Sequence, residues 1–256
     1  MSDERPSPRN ANEFQAMAAR TPARILVGRA GSRYTTMAML DFRADHARAV
    51  DAVMTEVPVD WPRRHGLPEF KTCAHTRDEY ILRPDLGRRL NPAEVRRIRE
   101  LRLPRARGDA TKPSVLIFVG DGLSSSAVEA NAPALIRALS KRLKNRYRLI
   151  KPFFVRNARV RVEDHVGEIL KADVVCMLVG ERPGLATADS LSAYVIYRPR
   201  LKSLEADRTV ISNIHAGGIP VAQGAEKIAT LVADAIRHRA TGTRLAQLLA
   251  KEHTLK

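Results

Sequence analysis

Three short polar loops carry the side chains best placed to do chemistry: Asp121-Gly122-Leu123-Ser124, Gly180-Glu181-Arg182-Pro183-Gly184 and Asn213-Ile214-His215-Ala216-Gly217-Gly218. Each follows an apolar run, so each is expected at the end of a strand, where open α/β sheets bind ligands. In a parallel sheet these ends face one side, and the three loops could together cradle a sizeable, polar-rimmed ligand. None is a dinucleotide G-x-G-x-x-G or a phosphate-binding G-x-x-x-x-G-K-[ST] loop. The chain has no G-x-S-x-G elbow and no pair of histidines four residues apart. The loops therefore suit holding a cofactor better than making or breaking bonds, and no residue of this chain is assigned a catalytic role.

The element that must position the second loop is Val174–Val179. Six apolar residues in a row are too few to span a membrane and too continuous for a half-exposed strand, so they read as a strand buried on both faces. Glu181 follows at once, beside Arg182. Two roles are open to it: a positioned acceptor for a ligand, or an ion pair with Arg182 or another basic residue that holds the loop.

From Ser114 the pattern is that of alternating strands and helices. VLIFVG is a buried strand, and the serines of DGLSSS can cap a helix over Ala127 to Lys144 that turns Leu135, Leu139 and Leu143 to one side. Pro133 implies a start or kink inside it, so two pieces are expected. RLIKPFFV is the next strand and VEDHVGEILKA a short helix. Ala188 to Tyr197 is ambiguous between helix and strand, DRTVISNIHAGGIP is a strand ending in a glycine-rich turn, and Val221 to His238 is the final helix.

The N-terminal part reads differently. Residues 1–22 are a charged, proline-bearing tail, 23–111 a smaller, mainly helical region, and 112–256 the α/β domain, with PRARGDATKP as linker. ARILVG is a short apolar run, Gly28 to Gly31 a tight turn in preference to an anion loop, and a helix begins near Thr35 with Met37, Leu40, Ala44, Ala47, Val50 and Met54 at helical spacing. His46 is a surface or packing residue. Trp61, among Pro58, Pro62 and Pro68, anchors the connection. EYILRP reads as a short strand, and Asn91 with Pro92 and Glu94 as the start of a helix to Leu103. The fold class expected overall is α/β: a Rossmann-like parallel sheet with helices on both faces, preceded by the helical region.

Composition narrows the function classes. With 256 residues, 44% hydrophobic and 5% aromatic, the chain can bury a sizeable core. The N-terminus lacks the apolar core of a secretory signal, and no stretch has the roughly 18 apolar residues of a spanning helix, which points to the cytoplasm. Cys73 and Cys176 are too far apart in sequence and character to suggest a disulfide or a zinc site. The net charge of +16 fits either nucleic acid or an acidic protein partner. Nine of the arginines fall between Arg83 and Arg107, against three acids. No helix-turn-helix, RNP-type strand or zinc-finger spacing accompanies them, so a basic nucleic-acid-binding protein is the alternative reading and not the main one.

Specific motifs recur in one order from about residue 24 to 240: Gly28 to Gly31, RADH at 43–46, RPDLGRRL at 83–90, DGLS at 121–124, PFFVR at 152–156, EDHVGEIL at 163–170, LVGERPGL at 178–185, SLSAY at 190–194 and DRTVISNIH at 207–215. Together they resemble the small (light) subunit of ethanolamine ammonia-lyase. The resemblance implies a lyase that uses adenosylcobalamin to convert ethanolamine to acetaldehyde and ammonia. Its chemistry would lie on a barrel-shaped large subunit, and the small subunit would cover the cobalamin at their interface. The family's cofactor contacts would fall on Val160, Glu181 and Val210. The last position is often Cys in the family, so a contact there would be made by backbone or apolar packing. Asn213 to Gly218 reads N-x-H-x-x-G, and because asparagine orients a ligand histidine poorly, His215 is not expected to ligate cobalt. Arg83, Arg88 and Arg89 are candidates for the large-subunit interface. Many relatives carry a long N-terminal extension linked to microcompartment packaging; with about two dozen residues before the first motif, a free cytoplasmic enzyme is expected, a bacterial microcompartment being the alternative.

Overall fold

The computed structural model describes residues 8–21, 27–101 and 112–254. The run ARIL and nearly all of the predicted linker lie outside the described residues. The N-terminal elements are α1 (Pro8–Ala18), β1 (Arg29–Ala30), β2 (Arg33–Tyr34), α2 (Thr36–Met54), α3 (Trp61–Arg64), β3 (Glu69–Lys71), α4 (Arg77–Leu82) and α5 (Pro92–Arg99). Then follow β4 (Ser114–Gly120), α6 (Ser125–Leu143), β5 (Arg148–Arg156), α7 (Val162–Leu170), β6 (Val174–Gly180), β7 (Leu191–Tyr197), β8 (Arg208–Ile214), α8 (Val221–His238) and α9 (Gly242–Thr254).

Local chemistry explains most boundaries. Thr35 and Thr76 cap α2 and α4, Asn91 with Pro92 starts α5, and Ser124 accepts the Ala127 amide at 3.1 Å to start α6. Pro133 does not divide α6, which runs through it as one helix. EYILRP is not a strand: Thr76 and the acids Asp78 and Glu79 in the first turn favour a helix, and α4 covers Arg77–Leu82. The ambiguous segment resolves as a strand, β7, and Val221–His238 is not the final helix, since α9 follows it.

Six strands form one sheet in the order β3-β5-β4-β6-β7-β8. The first four are parallel, but β7 is antiparallel to both neighbours, so the sheet is mostly and not wholly parallel. Only a short loop and no helix joins β6 to β7, and a parallel pairing needs a crossover of a dozen or more residues. Because β8 reverses again, it runs with β6. Gly180, Leu191 and Ile214 are in register, so the three polar loops do leave the same edge of the sheet.

Helices cover both faces. On one, α6 and α8 bury Val115, Ile117, Cys176, Leu178, Ala193 and Val195. On the other, α7 and α5 pack over Leu116, Phe118, Val175 and Met177. Strands β4 and β6 are buried along their whole length, as their unbroken apolar runs require. The N-terminal region joins this body: β3 extends the sheet, and Trp61 is buried against Phe154. Helix α2 is the exception. Its predicted apolar positions Met37, Leu40, Val50 and Met54 all remain exposed. Both thiols are free, and no helix among the described residues is long and apolar enough to cross a membrane.

Candidate functional site

The carboxyl edge divides at β6. On the side of β4 and β5, the loop Asp121–Ser124 is consumed by structure. The buried Asp121 carboxylate accepts the amides of Gly122, Asn157 and Ala158 at 2.7–2.9 Å, and Arg77 stands 3.8 Å away. Burial pushes the acid up, while the amides and Arg77 pull it down. Gly122 has a positive φ of 62° and lies against Gly180, where a Cβ would come within 2.2 Å of the Gly180 oxygen. Ser124 accepts from Ala127 and donates to the Ala188 carbonyl. This loop closes on its neighbour and offers a ligand little.

Beyond β6 the same edge is open. Met177, Tyr194 and Val210 form one row across β6, β7 and β8, and paired residues share a face. It is the face of α7, but that helix packs over β6 and leaves Tyr194 half-buried and Val210 47% exposed. Glu181 lies two residues past Val179 on that face, and its carboxylate accepts a hydrogen bond from the Tyr194 hydroxyl at 3.4 Å. Its amide donates to Ser190 at 2.9 Å, which fixes the backbone. Among the described residues Glu181 makes no ion pair, so Arg182 does not hold the loop through it. Burial and then Glu181 push the Tyr194 hydroxyl up to about 12, and it remains a donor across the working pH range. Val160, half-buried just before α7, packs against the core of the same face. The three residues expected to contact a cofactor thus share one face of the sheet.

The ledge rests on a buried ionic cluster. Arg208, two residues before Val210, donates to Glu163 at 2.6 Å, to Asp164, and to Glu205 at 3.1 Å. It ties the first turn of α7 to β8. One guanidinium faces two buried carboxyls, and burial pushes Glu163 up to about 8 despite it. One oxygen of each, Glu163 Oε2 and Asp164 Oδ1, is buried without a partner among the described residues.

His215 is buried, and both ring nitrogens are engaged in its own turn. Nε2 lies 2.7 Å from Asn213 Oδ1, and Nδ1 accepts the Gly217 amide at 3.2 Å. Arg83 is held bidentately by Asp85 at 2.8–3.0 Å. Arg88 and Arg89 make no ion pair among the described residues and line a cavity of about 500 Å³ with Cys73, Arg161 and Asp164.

Tyr194, Glu163 and Arg208 escaped the sequence reading. Tyr194 lay in the ambiguous segment, where LSAYVIY is β-rich and a strand assignment would have put it beside Met177. Arg208 gave no signal, because a charged residue opening a strand is ordinarily solvated.

The family described as "Ethanolamine ammonia-lyase light chain (EutC)" matches residues 11–246. Proteins named ethanolamine ammonia-lyase small subunit are similar over nearly all of the chain. That of Clostridioides difficile is 43% identical over 241 residues, covering 93% of this chain and 80% of its own. Those of Lachnoclostridium phytofermentans and Fusobacterium nucleatum are each 44% identical, over 93% and 92% of this chain and 78% of their own. With a match of this extent, the chain belongs to the ethanolamine ammonia-lyase light-chain family.

Proposed function

We propose that this chain is the small subunit of an adenosylcobalamin-dependent ethanolamine ammonia-lyase, and that the ledge at Val160, Glu181 and Val210 covers the cobalamin where the subunit meets a catalytic large subunit. The observation that carries the reading is the ledge itself. Residues 160, 181 and 210 are far apart in sequence, yet they share one face of the sheet, open at Val210, with a carboxylate acceptor held by Tyr194 beside apolar surface. Cobalamin fits such a surface, since its macrocycle offers apolar area and its side chains offer amide donors. When bound, the cofactor supplies radical chemistry. This chain's part is to bind and orient it and to exclude water from one side. Val210 contributes packing where a thiol is common in the family.

A large subunit as partner is supported by α2, whose exposed Met37, Leu40, Val50 and Met54 form the kind of apolar stripe that marks an interaction surface. It is supported too by the net charge of +16, which an acidic partner surface would offset. Arg88 and Arg89 are the cations available to such a partner, and the cytoplasm is the compartment we assign to the enzyme.

The test is Glu181→Gln in the assembled two-subunit enzyme. A hydrogen bond to a charged group is worth roughly 1.5–3 kcal/mol, so adenosylcobalamin affinity should fall about ten- to a hundredfold. Acetaldehyde production at saturating cofactor should stay close to wild type. An unchanged dissociation constant removes Glu181 from the site, and collapse of turnover at saturation would mean that the loop shapes the reaction centre itself.

A further inference from the structure

The opposite, amino edge of the sheet holds a second concentration of charge, independent of the ledge. A cavity of about 380 Å³ opens where β4, β5 and β6 begin and β7 ends. Lys112, Arg148, Lys171, Arg198 and Arg200 line it, and Asp173 is the only acid among the lining residues. Asp173 is already spent. It accepts the Ser114 amide and hydroxyl at 3.0 and 3.1 Å and the Arg198 guanidinium at 2.9–3.0 Å. Burial alone would raise this acid, but these donors outweigh it and hold the carboxyl below its ordinary range. Arg148, Lys171 and Arg200 are left without an ion pair among the described residues.

Arg148 is the decisive residue. Its Nε and Nη1 are both shielded from solvent, and no described group accepts from either. Helices α6, α7 and α8 end at this edge, and cations there offset their carbonyl dipoles. That role asks only for charge near the helix end. It does not explain two sequestered donors, each of which is destabilising while unmatched.

We infer that this cavity is an anion site for a compact phosphate-bearing ligand, a diphosphate or a small phosphate ester, toward which Arg148 turns its unmatched fork on binding, with Lys171 and Arg200 as flanking charges. The planar guanidinium matches phosphate oxygens two at a time, and lysine adds point charge. The cavity exceeds one phosphate group, but no aromatic ring lines it, so it offers no platform on which a nucleotide base would stack. Gly167 and Pro199 form a tight floor, a Cβ at Gly167 falling 2.3 Å from the proline ring.

The test is calorimetric titration of the full-length chain with sodium diphosphate, inorganic phosphate and citrate, at one ionic strength set with chloride. Saturable one-to-one binding is expected, tightest for diphosphate. Arg148→Gln should weaken diphosphate by about tenfold or more, the loss of one charge-assisted contact. Arg200→Ala, on an exposed side chain, should weaken it less without altering the thermal midpoint, and it serves as the second reading if Arg148→Gln disturbs folding. Absence of saturable binding, equal affinity for citrate and diphosphate, or wild-type affinity in both variants would each overturn the assignment.

Discussion

Two halves of one sheet edge have been put to opposite uses. Over β4 and β5, the strand ends are filled: Asp121 satisfies three amides, Arg77 donates to the Val53 and Gly122 carbonyls, and the guanidinium groups of Arg77 and Arg159 stack on the Tyr80 ring at 4.7 and 4.1 Å. Over β7 and β8, the face that carries Tyr194 and Val210 is open, and the carboxylate of Glu181 has one long hydrogen bond from Tyr194. Both halves present an acid just past a glycine that ends an apolar strand, Gly120-Asp121 and Gly180-Glu181. What separates them is the number of donors that the fold delivers. A carboxylate whose oxygens are matched internally is a brace, and one left with spare acceptor capacity on an open face is available to a ligand.

The sharpest way to break this comparison is to truncate both acids. Asp121→Ala strips the acceptor from three buried amides and leaves Arg77 without its counter-charge. It should cost about 3–5 kcal/mol of stability in urea unfolding. Glu181→Ala should stay within about 0.5 kcal/mol of wild type, as surface substitutions usually do. Equal losses would mean that the two halves are not different in kind.

The cluster beneath the ledge gives a prediction in pH. The folded chain keeps a proton on Glu163 to about pH 8, whereas an unfolded glutamate releases it near 4.5. Folding therefore takes up a proton between these values, and stability falls as pH rises through that window. Arg208 and Glu205 face this group from outside α7, Asp164 lies beside it on the helix and is itself paired with Arg208 and Arg161, and Tyr194 and Cys176 lie within its electrostatic reach. Glu163→Gln keeps the shape and removes the titration, so its stability should vary less from pH 5 to 8.5 than that of wild type. Parallel curves for the two proteins would show that the buried proton is not on Glu163.

The smallest effect belongs to Tyr194→Phe. It removes the donor that aims Glu181, and a neutral donor of this kind contributes about 0.5–1.5 kcal/mol, a few-fold to tenfold in affinity. Adenosylcobalamin titration of the two-subunit enzyme measures it. A loss as large as that of Glu181→Gln would make Tyr194 itself the contact and sharpen the map of the open half.

Much of the fold was legible because it rests on patterns of nearest neighbours. The unbroken run Val174–Val179 could only be a strand covered on both sides, Asn91-Pro92 marked a helix start, and Val221 to His238 appeared as one helix with the expected bounds. The errors fell where local preference was weak or opposed. Tyr80 and Ile81 favour strands, but the threonine cap and the acids of the first turn won. Pro133 argued for a break, yet the helix continues through it. The apolar rhythm of α2 described a face that nothing in the described chain covers.

The sequence by itself determined the elements, the loops at their ends and, through motifs in a fixed order, the family. Periodicity and capping act within a few residues, so they can be read along a single chain. Only the tertiary structure decided which of two similar acids is spent and which is free, because that depends on donors from Gly122, Asn157, Ala158, Arg77 and Tyr194 that meet the acids only after folding. It also decided that β7 runs antiparallel and thereby returns β8 to the direction of β6. That reversal sets Val210 beside Tyr194, on the face that Val160 and Glu181 already share.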